Sequence, residues 1–255
     1  MIIIGSSSKV GPWFTRFKKH GLLANTKILV IGQGYLRDDQ LEFVEKVIVY
    51  SRHEISLHDP KYCGKYEFMP LPADGDFDSI TNISNGDYIF SGGGAGRDFS
   101  SLIEAINDLD VRLNIITFSK SSLNYSGYIP RNCKIIWRIP QQKFLEHMAE
   151  AKFVVAPLQE GIQPHGHTTI VQALRLGKAI ISTRNASIDD YVTHGQEGLL
   201  VKPGDIYGYR KAIIQLTNNH KLRDSYQQNA IIKGKELTYP AFALRLIKCV
   251  HEIIK

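Results

Sequence analysis

One stretch in the second half of the chain decides the fold: residues 164–183 read PHGHTTIVQALRLGKAIIST. Gly166 is followed by hydroxyl residues and then by apolar residues at helical spacing, which predicts a helix over Thr168 to Leu176. A Gly-Lys break then leads into an apolar strand at 179–183. The apolar run at 152–158 precedes the stretch, so a strand, a helix and a second strand follow one another, as in a parallel sheet.

The start of this helix is a candidate anion site. The first backbone N–H groups of a helix have no acceptor within it and carry partial positive charge. Those of Gly166, His167 and Thr168 are expected to point at one spot, at the sheet edge where open α/β folds bind ligands. Phosphate binding is the interpretation that this arrangement favours. A plain helix cap by Thr168 or Thr169 is the alternative.

The same alternation of strands and helices extends along the whole chain and predicts a parallel sheet wound on both faces. Predicted strands lie at 2–5, 27–32, 46–51, 66–71, 87–91, 112–118, 133–137, 152–158, 179–183 and 198–201. Predicted helices lie at 98–108, 141–150, 168–176, 206–218 and 221–237. Turn-forming residues at 72–78 and 82–87 predict a linker.

Over residues 152 to 215 these features resemble the nucleotide-binding half of GT-B glycosyltransferases, above all the retaining family 4, or group 1. Gln172-Ala173-Leu174 stands where that family has Glu-Ala-Met, and 177–180 stands for Gly-Lys-Pro-Val. Residues 190–205 match its closing loop, which ends in Leu-Val-x-Pro-Gly-Asp. The resemblance implies an α/β, GT-B-like fold of two Rossmann-like lobes with parallel sheets. The N-terminal lobe is expected to be reduced, because few residues precede the motifs.

Three segments follow from this interpretation. Residues 1–80 are expected to form the reduced lobe on the acceptor side, and 81–237 the nucleotide-sugar domain. Residues 238–255 are expected to form a helix that crosses back to the first lobe, as in relatives.

A second landmark of the family lies upstream, where Gly93, Gly94 and Arg97 follow a predicted strand. The resemblance implies that Arg97 contacts the donor diphosphate, and a planar guanidinium suits that leaving group. Glycines allow the backbone to approach the phosphates closely. By the same resemblance, Arg138 and Ile139 lie beside the nucleobase.

The next candidate residues concern the donor's ribose and its sugar. Gln172 stands where relatives carry a Glu that bonds the ribose, and an amide can still make such bonds. The first Glu of the family's paired motif is replaced by Pro164. His165 and Glu160 are therefore the candidate catalytic residues. His167, Thr168 and Thr169 are further candidates for substrate binding. The alternative interpretations are exposed loop histidines for His165 and His167, and a solvated surface carboxylate for Glu160.

The net charge and the motifs of the sequence indicate which kinds of partner the protein binds. The net charge is +6, which suits an anionic donor or an anionic membrane surface. Nucleic acid is not expected, because the sequence contains none of the usual binding motifs.

Residues 11–23 mix Trp13 and Phe17 with basic residues, as an interfacial segment would. The alternative is a helix that packs Trp13 and Phe17 into the small lobe. With no signal peptide or apolar run of spanning length, the sequence predicts a cytoplasmic protein, peripheral to the membrane if that segment is interfacial.

The sequence therefore predicts a retaining glycosyltransferase that uses a nucleotide-diphosphate sugar, without metal or other cofactor. Asp74 and Asp76 fit a metal-binding Asp-x-Asp pattern but are interpreted as a turn. Two alternatives stay open: a nucleotide-sugar-binding subunit that needs a partner chain, and a GT-B-like nucleotide-sugar epimerase. The acceptor is not identified, and a homo-oligomer is compatible with the sequence.

Overall fold

A computed structural model of the chain describes residues 2–6, 11–32, 36–73, 75–161 and 165–254. Of residues 2–6, 11 and 12 it describes the backbone alone. The strands, numbered in chain order, are β1 Ile2–Ser6, β2 Lys27–Ile31, β3 Lys46–Val49, β4 Tyr66–Phe68, β5 Tyr88–Gly92, β6 Arg112–Thr117, β7 Cys133–Trp137, β8 Val154–Ala156, β9 Ile180–Thr183 and β10 Gly198–Val201.

The α-helices follow the strands in the predicted alternation. They are α1 Gly11–Lys19, α2 Asp38–Leu41, α3 Arg52–Ser56, α4 Phe99–Ile106, α5 Lys120–Leu123, α6 Gln141–Glu150, α7 His167–Arg175, α8 Ile206–Asn218, α9 His220–Gly234 and α10 Tyr239–Ile254. A 3-10 helix at Pro60–Lys65 precedes β4. No helix in the described part of the chain is long and apolar enough to cross a membrane.

The chain divides into two compact units: a small unit of residues 1–71 with 239–255, and a large unit of residues 72–238. The small unit contains a parallel sheet in the order β1-β2-β3-β4. Ile28 and Val30 of β2 belong to a core cluster with Leu41, on one face of this sheet. Leu29 of β2 and Ile48 of β3 instead pack with α10 on the other face. The last helix is thus part of the small unit's core.

The large unit contains a six-stranded parallel sheet in the order β10-β9-β8-β5-β6-β7. One face of the sheet packs against α4 and α8, in a core that includes Phe99, Leu102, Tyr209 and Ile213. On the other face, Phe144 of α6 meets Phe90 of β5 edge to face at 5.1 Å. The sheet is therefore covered on both sides, which explains its nearly continuous apolar strands.

The boundary between the units differs from the one expected at residues 80 and 81. Ala73 N donates to Leu237 O at 2.9 Å, and Ser84 N donates to Ala149 O at 3.1 Å. Nζ of the buried Lys178 also donates to Ser84 O, at 2.6 Å. These bonds fix the turn-rich segment on the large unit, so the division falls after residue 71.

Candidate functional site

The candidate site lies where β5 and β8 are neighbours in the large sheet. The chain leaves β5 towards β6 on one side, whereas β8 leads to β9 on the other. The loops that follow β5 and β8 therefore diverge, and such a switch point is where open α/β sheets bind ligands. Both loops, at 93–98 and at 157–166, contain residues that the sequence predicts to bind the donor or to act in catalysis. Residues 162–164 of the second loop, including Pro164, lie outside the described residues.

Backbone hydrogen bonds join the two loops. Asp98 N donates to Pro157 O at 3.0 Å, and Gln159 N donates to Gly96 O at 2.9 Å. Arg97 and Leu158 form an isolated antiparallel bridge between these bonds. The two loops thus form one supported platform beside the N-terminus of α7.

Arg97 lies at the centre of this platform and is only 5% exposed. Its Nε donates to Gly92 O at 2.9 Å, its Nη1 to Ala95 O at 2.9 Å and its Nη2 to Thr169 Oγ1 at 2.8 Å. All three acceptors are neutral, and no carboxylate forms an ion pair with Arg97 among the described side chains. Burial lowers its pKa to about 10, which leaves it cationic near neutral pH.

The glycines of the first loop are required by close contacts. Gly93 has φ +113, and a Cβ there would collide with the Arg97 guanidinium. Gly96 has φ +64, and a Cβ there would lie 2.5 Å from two ring carbons of His165. The predicted catalytic candidate His165 is therefore brought against the Arg97 loop, with its side chain partly exposed.

The N-terminus of α7 matches the predicted anion site in geometry. Gly166 is its N-cap with φ +89 and supplies no side-chain cap. A Cβ at Gly166 would lie 2.6 Å from the Leu158 side chain, so this turn has no room for a larger residue. The backbone N–H groups of the first turn thus lack a side-chain cap and suit an anion.

Two of the predicted substrate-binding side chains on α7 face inward instead. His167 is 2% exposed; its Nε2 donates to Ser187 O at 3.1 Å and its ring meets Tyr191 edge to face at 4.9 Å. Thr169 is 3% exposed and its hydroxyl accepts from Arg97. The expectation that these side chains contact substrate is corrected: one supports the fold and the other positions Arg97. Only their backbone N–H groups stay as candidates.

The other candidates on this side differ in exposure. Thr168 and Glu160 are exposed, whereas Gln172 is only 3% exposed, three residues after Thr169 on the same face of α7. Arg97, His165, Gly166 and the first turn of α7 are thus brought together. Glu160 forms no hydrogen bond or ion pair with them among the described side chains.

Arg138 and Ile139 lie at the end of β7, two strands from β5, which corresponds to about 10 Å. Arg138 has φ +47, and its Nε donates to Phe118 O at 2.8 Å. The Phe118 ring packs on Gly94, where a Cβ would lie 2.7 Å from ring carbon Cδ2. Phe118 therefore contacts both the loop after β5 and Arg138 at the end of β7, where the nucleobase is predicted to lie.

Phe118 directly follows β6 and is 57% exposed, but the sequence patterns did not indicate it as a site residue. The available signal was an aromatic residue that directly follows a buried strand, before the Ser119-Lys120-Ser121 run.

The Asp-x-Asp pattern does not form a metal site in the described residues. Asp74 is outside the described residues, and exposed Asp76 accepts from Ser79 N at 3.3 Å in a turn. Groups of three or more His, Cys, Asp or Glu side chains suited to a metal ion do not occur within the described ranges.

Comparison with known proteins gives a family for part of the chain. Residues 119–233 match the family of glycosyl transferases group 1. An uncharacterized glycosyltransferase from Methanocaldococcus jannaschii is 23% identical over 157 residues, which are 60% of this chain and 44% of that protein. The match thus spans less than half of the relative's length.

Solved structures extend the likeness to nearly the whole chain. A glycosyltransferase from Rickettsia africae aligns with a TM-score of 0.78 at 13% identity, over 99% of this chain and 77% of that one. Anabaena HepE in complex with UDP and glucose aligns with a TM-score of 0.74 at 12% identity, over 98% and 77%. At such identities these likenesses concern the fold. The α/β, GT-B-like fold predicted from the sequence is thereby confirmed, and so is the resemblance that led to it: in residues 119–233 this chain matches the group 1 glycosyl transferases.

Proposed function

We propose that this chain is a glycosyltransferase that takes a sugar from a nucleoside-diphosphate sugar and transfers it to a glycan, lipid or other acceptor, with retention at the anomeric carbon. The observation that carries the proposal is the buried guanidinium of Arg97, held by neutral acceptors beside the first turn of α7. A buried cation without a carboxylate is costly. A diphosphate bound at this point would offset that cost.

In the proposed reaction the bond between the sugar and the diphosphate breaks, and a bond from the anomeric carbon to the acceptor oxygen forms. The proton of the acceptor hydroxyl ends on the departing diphosphate. Arg97 and the backbone N–H groups of α7 stabilise the charge that develops on this leaving group. In this proposal His165 would donate a hydrogen bond to the donor, and Glu160 is the second catalytic candidate. Gln172 would bond the ribose.

We propose further that the reaction needs no metal cofactor, because Arg97 and the N-terminus of α7 would supply fixed positive charge. Calorimetry with UDP, GDP and ADP, each with excess chelator and without it, tests this point directly. We expect the affinity for the preferred diphosphate to be retained in chelator. Complete loss of binding would instead assign the charge to a metal ion.

HepE was solved with UDP and glucose, which makes UDP-glucose the first donor to test. The purified chain is incubated with UDP-, GDP- and ADP-sugars, with and without a lipid extract, and the released nucleoside diphosphate is measured. We expect release from one donor class, increased by an acceptor. The anomeric configuration of the product, determined by NMR, tests retention.

A nucleotide-sugar-binding subunit without activity of its own is the second candidate. The observation that favours it is that Pro164 stands where the family's paired motif has its first Glu, so that carboxylate is missing. Tight binding of a nucleotide sugar, with no release under any acceptor condition, would support this candidate over the first. Failure to bind any nucleoside diphosphate would exclude both.

A further inference from the structure

One face of α1 exposes aromatic and basic side chains together. Trp13, Arg16, Phe17 and His20 recur at helical spacing and so share a face. Trp13 is 59% exposed and Phe17 is 41% exposed, with 6.5 Å between their ring centroids. The helix is attached by its opposite side, where Thr15 is buried. The interpretation that Trp13 and Phe17 pack into the small lobe is therefore wrong.

The charge around this face is mainly positive. A groove of about 730 Å³ runs between α1 and α2, and its charged lining consists of Arg16, Lys19, Arg37 and Asp39. The single carboxylate in that lining already lies 3.1 Å from Arg37 Nε and 3.9 Å from Lys19 Nζ. Arg16 has no ion-pair partner among the described side chains. The groove thus keeps an excess of positive charge.

The apolar part of the surface continues beyond the helix. Leu22, two residues after His20, is 71% exposed. Three large apolar side chains are thus presented to solvent within ten residues of sequence, next to cations. Tryptophan favours the boundary between lipid headgroups and hydrocarbon, and basic side chains favour anionic headgroups.

We propose that the surface formed by this face, together with the neighbouring exposed side chains of Lys19 and Leu22, binds an anionic lipid bilayer. The aromatic rings would enter the headgroup region, and the cations would pair with lipid phosphates. A lipid surface fits better than a soluble anionic glycan, because the apolar side chains project outward beside the cations. The proposal does not depend on the proposed transfer reaction, since all these residues belong to the small unit.

Tryptophan fluorescence gives a direct test in the full chain. The chain has two tryptophans, Trp13 and Trp137, so Trp137→Phe leaves Trp13 as the only one. The protein is mixed with vesicles of phosphatidylcholine alone, or of phosphatidylcholine with phosphatidylglycerol. We expect a blue shift, and quenching by brominated lipid, with the anionic vesicles only. High salt should weaken both signals.

Substitutions test whether vesicle binding depends on this surface or is nonspecific. Arg16→Ala and Lys19→Ala should each weaken binding to the anionic vesicles about fivefold, and Trp13→Ala with Phe17→Ala should remove it. Tyr207→Ala with Lys211→Ala is the matched control, because both are exposed on α8 of the large unit. We expect this control to bind like the parent chain. Circular dichroism and UDP affinity verify that each variant is folded.

Four results would overturn the proposal. The first is equal binding to neutral and anionic vesicles. The second is an equal loss of binding in the control on α8. The third is anionic-vesicle binding without any quenching of Trp13. The fourth is a preference for a soluble polyanion such as heparin over vesicles. Because UDP binding is measured separately, failure here leaves the proposed transfer reaction untouched.

Discussion

Arg97 Nη2 donates a 2.8 Å hydrogen bond to Thr169 Oγ1, and so joins the loop after β5 to the first turn of α7. The two residues are 72 positions apart in sequence. The same guanidinium also donates to the carbonyl groups of Gly92, at the end of β5, and of Ala95, in its own loop. The cation of the candidate site is thus fixed in place before any ligand arrives, so binding costs little side-chain entropy.

Replacement of Arg97 by Ala is expected to weaken nucleoside diphosphate binding by about 1.5–3 kcal/mol, the value of a hydrogen bond to a charged group. The affinity for the nucleoside, which has no phosphate, should stay unchanged. Calorimetry with UDP and uridine measures both, if uracil is the preferred base. Equal losses for the two ligands would assign Arg97 to structure alone.

Thr169→Val is the companion variant, because it keeps the side-chain shape and removes the acceptor of Arg97 Nη2. We expect it to lower the free energy of unfolding by about 1–3 kcal/mol, since a buried donor loses its partner. Urea denaturation gives this value. An unchanged stability would mean that the hydrogen bond contributes nothing to the fold.

Gly96→Ala tests the contact between the Arg97 loop and His165. Gly96 and Gly204 have nearly equal φ angles, +64 and +67, but a Cβ at Gly204 would have no neighbour within 4 Å. Both alanine variants should lose about 1–2 kcal/mol of stability from the left-handed backbone. Only Gly96→Ala should also lower kcat for sugar transfer, because its Cβ displaces His165. Equal activity losses would remove His165 from the mechanism.

Strands and long helices could be predicted because each carries a full apolar pattern. All ten predicted strands occur, although several are shorter than expected. Residues 66–71 and 152–158 stop pairing early, before Pro70 and Pro157, since proline cannot donate to a ladder. The helices α2, α3 and α5 were missed because four or five residues span little more than one turn, which is too short for an apolar pattern to repeat. The Ser51 N-cap was the only local signal for α3.

At the site, sequence predicted the backbone features better than the side-chain directions. Gly93 and Gly166 both have positive φ and close neighbours, as glycine-rich loops near a ligand require. The inward direction of His167 depends on Ser187 and Tyr191, which no local pattern links to it. The contact of His165 with Gly96 depends likewise on the adjacency of β5 and β8.

Lys178 gives a pH-dependent prediction about stability. Its Nζ donates to Ser84 O at 2.6 Å and to Ala151 O at 2.8 Å, and burial lowers its pKa from 10.5 to about 8. Between these values the unfolded chain holds a proton that the folded chain has lost, so stability rises with pH in this window. The slope should be at most about 1.4 kcal/mol per pH unit. Urea denaturation from pH 7.5 to about 9.5, below the ordinary tyrosine pKa, measures it. Lys178→Met should lose this slope, and an unchanged slope would contradict the assignment.

Gln172 tests whether the family resemblance extends to the ribose contact. It lies three residues after Thr169, on the face of α7 that meets Arg97. If its amide bonds the ribose, Gln172→Glu should keep or raise donor affinity, because the contact becomes charge-assisted. Gln172→Leu should lower affinity by about 1–3 kcal/mol, since it leaves ribose hydroxyls without a partner.

The discriminating measurement is the preference of each protein for the ribose nucleotide over its 2′,3′-dideoxy form. The parent chain should prefer ribose, Gln172→Glu should prefer it at least as strongly, and Gln172→Leu should bind both forms about equally. A residue that only packs within the unit, where Gln172 is 3% exposed, would behave differently. Both substitutions would then change the free energy of unfolding but leave the ratio of the two affinities as it is in the parent. An unchanged ratio in all three proteins therefore removes Gln172 from the donor site, whereas a ratio near one in Gln172→Leu alone assigns the ribose contact to its amide.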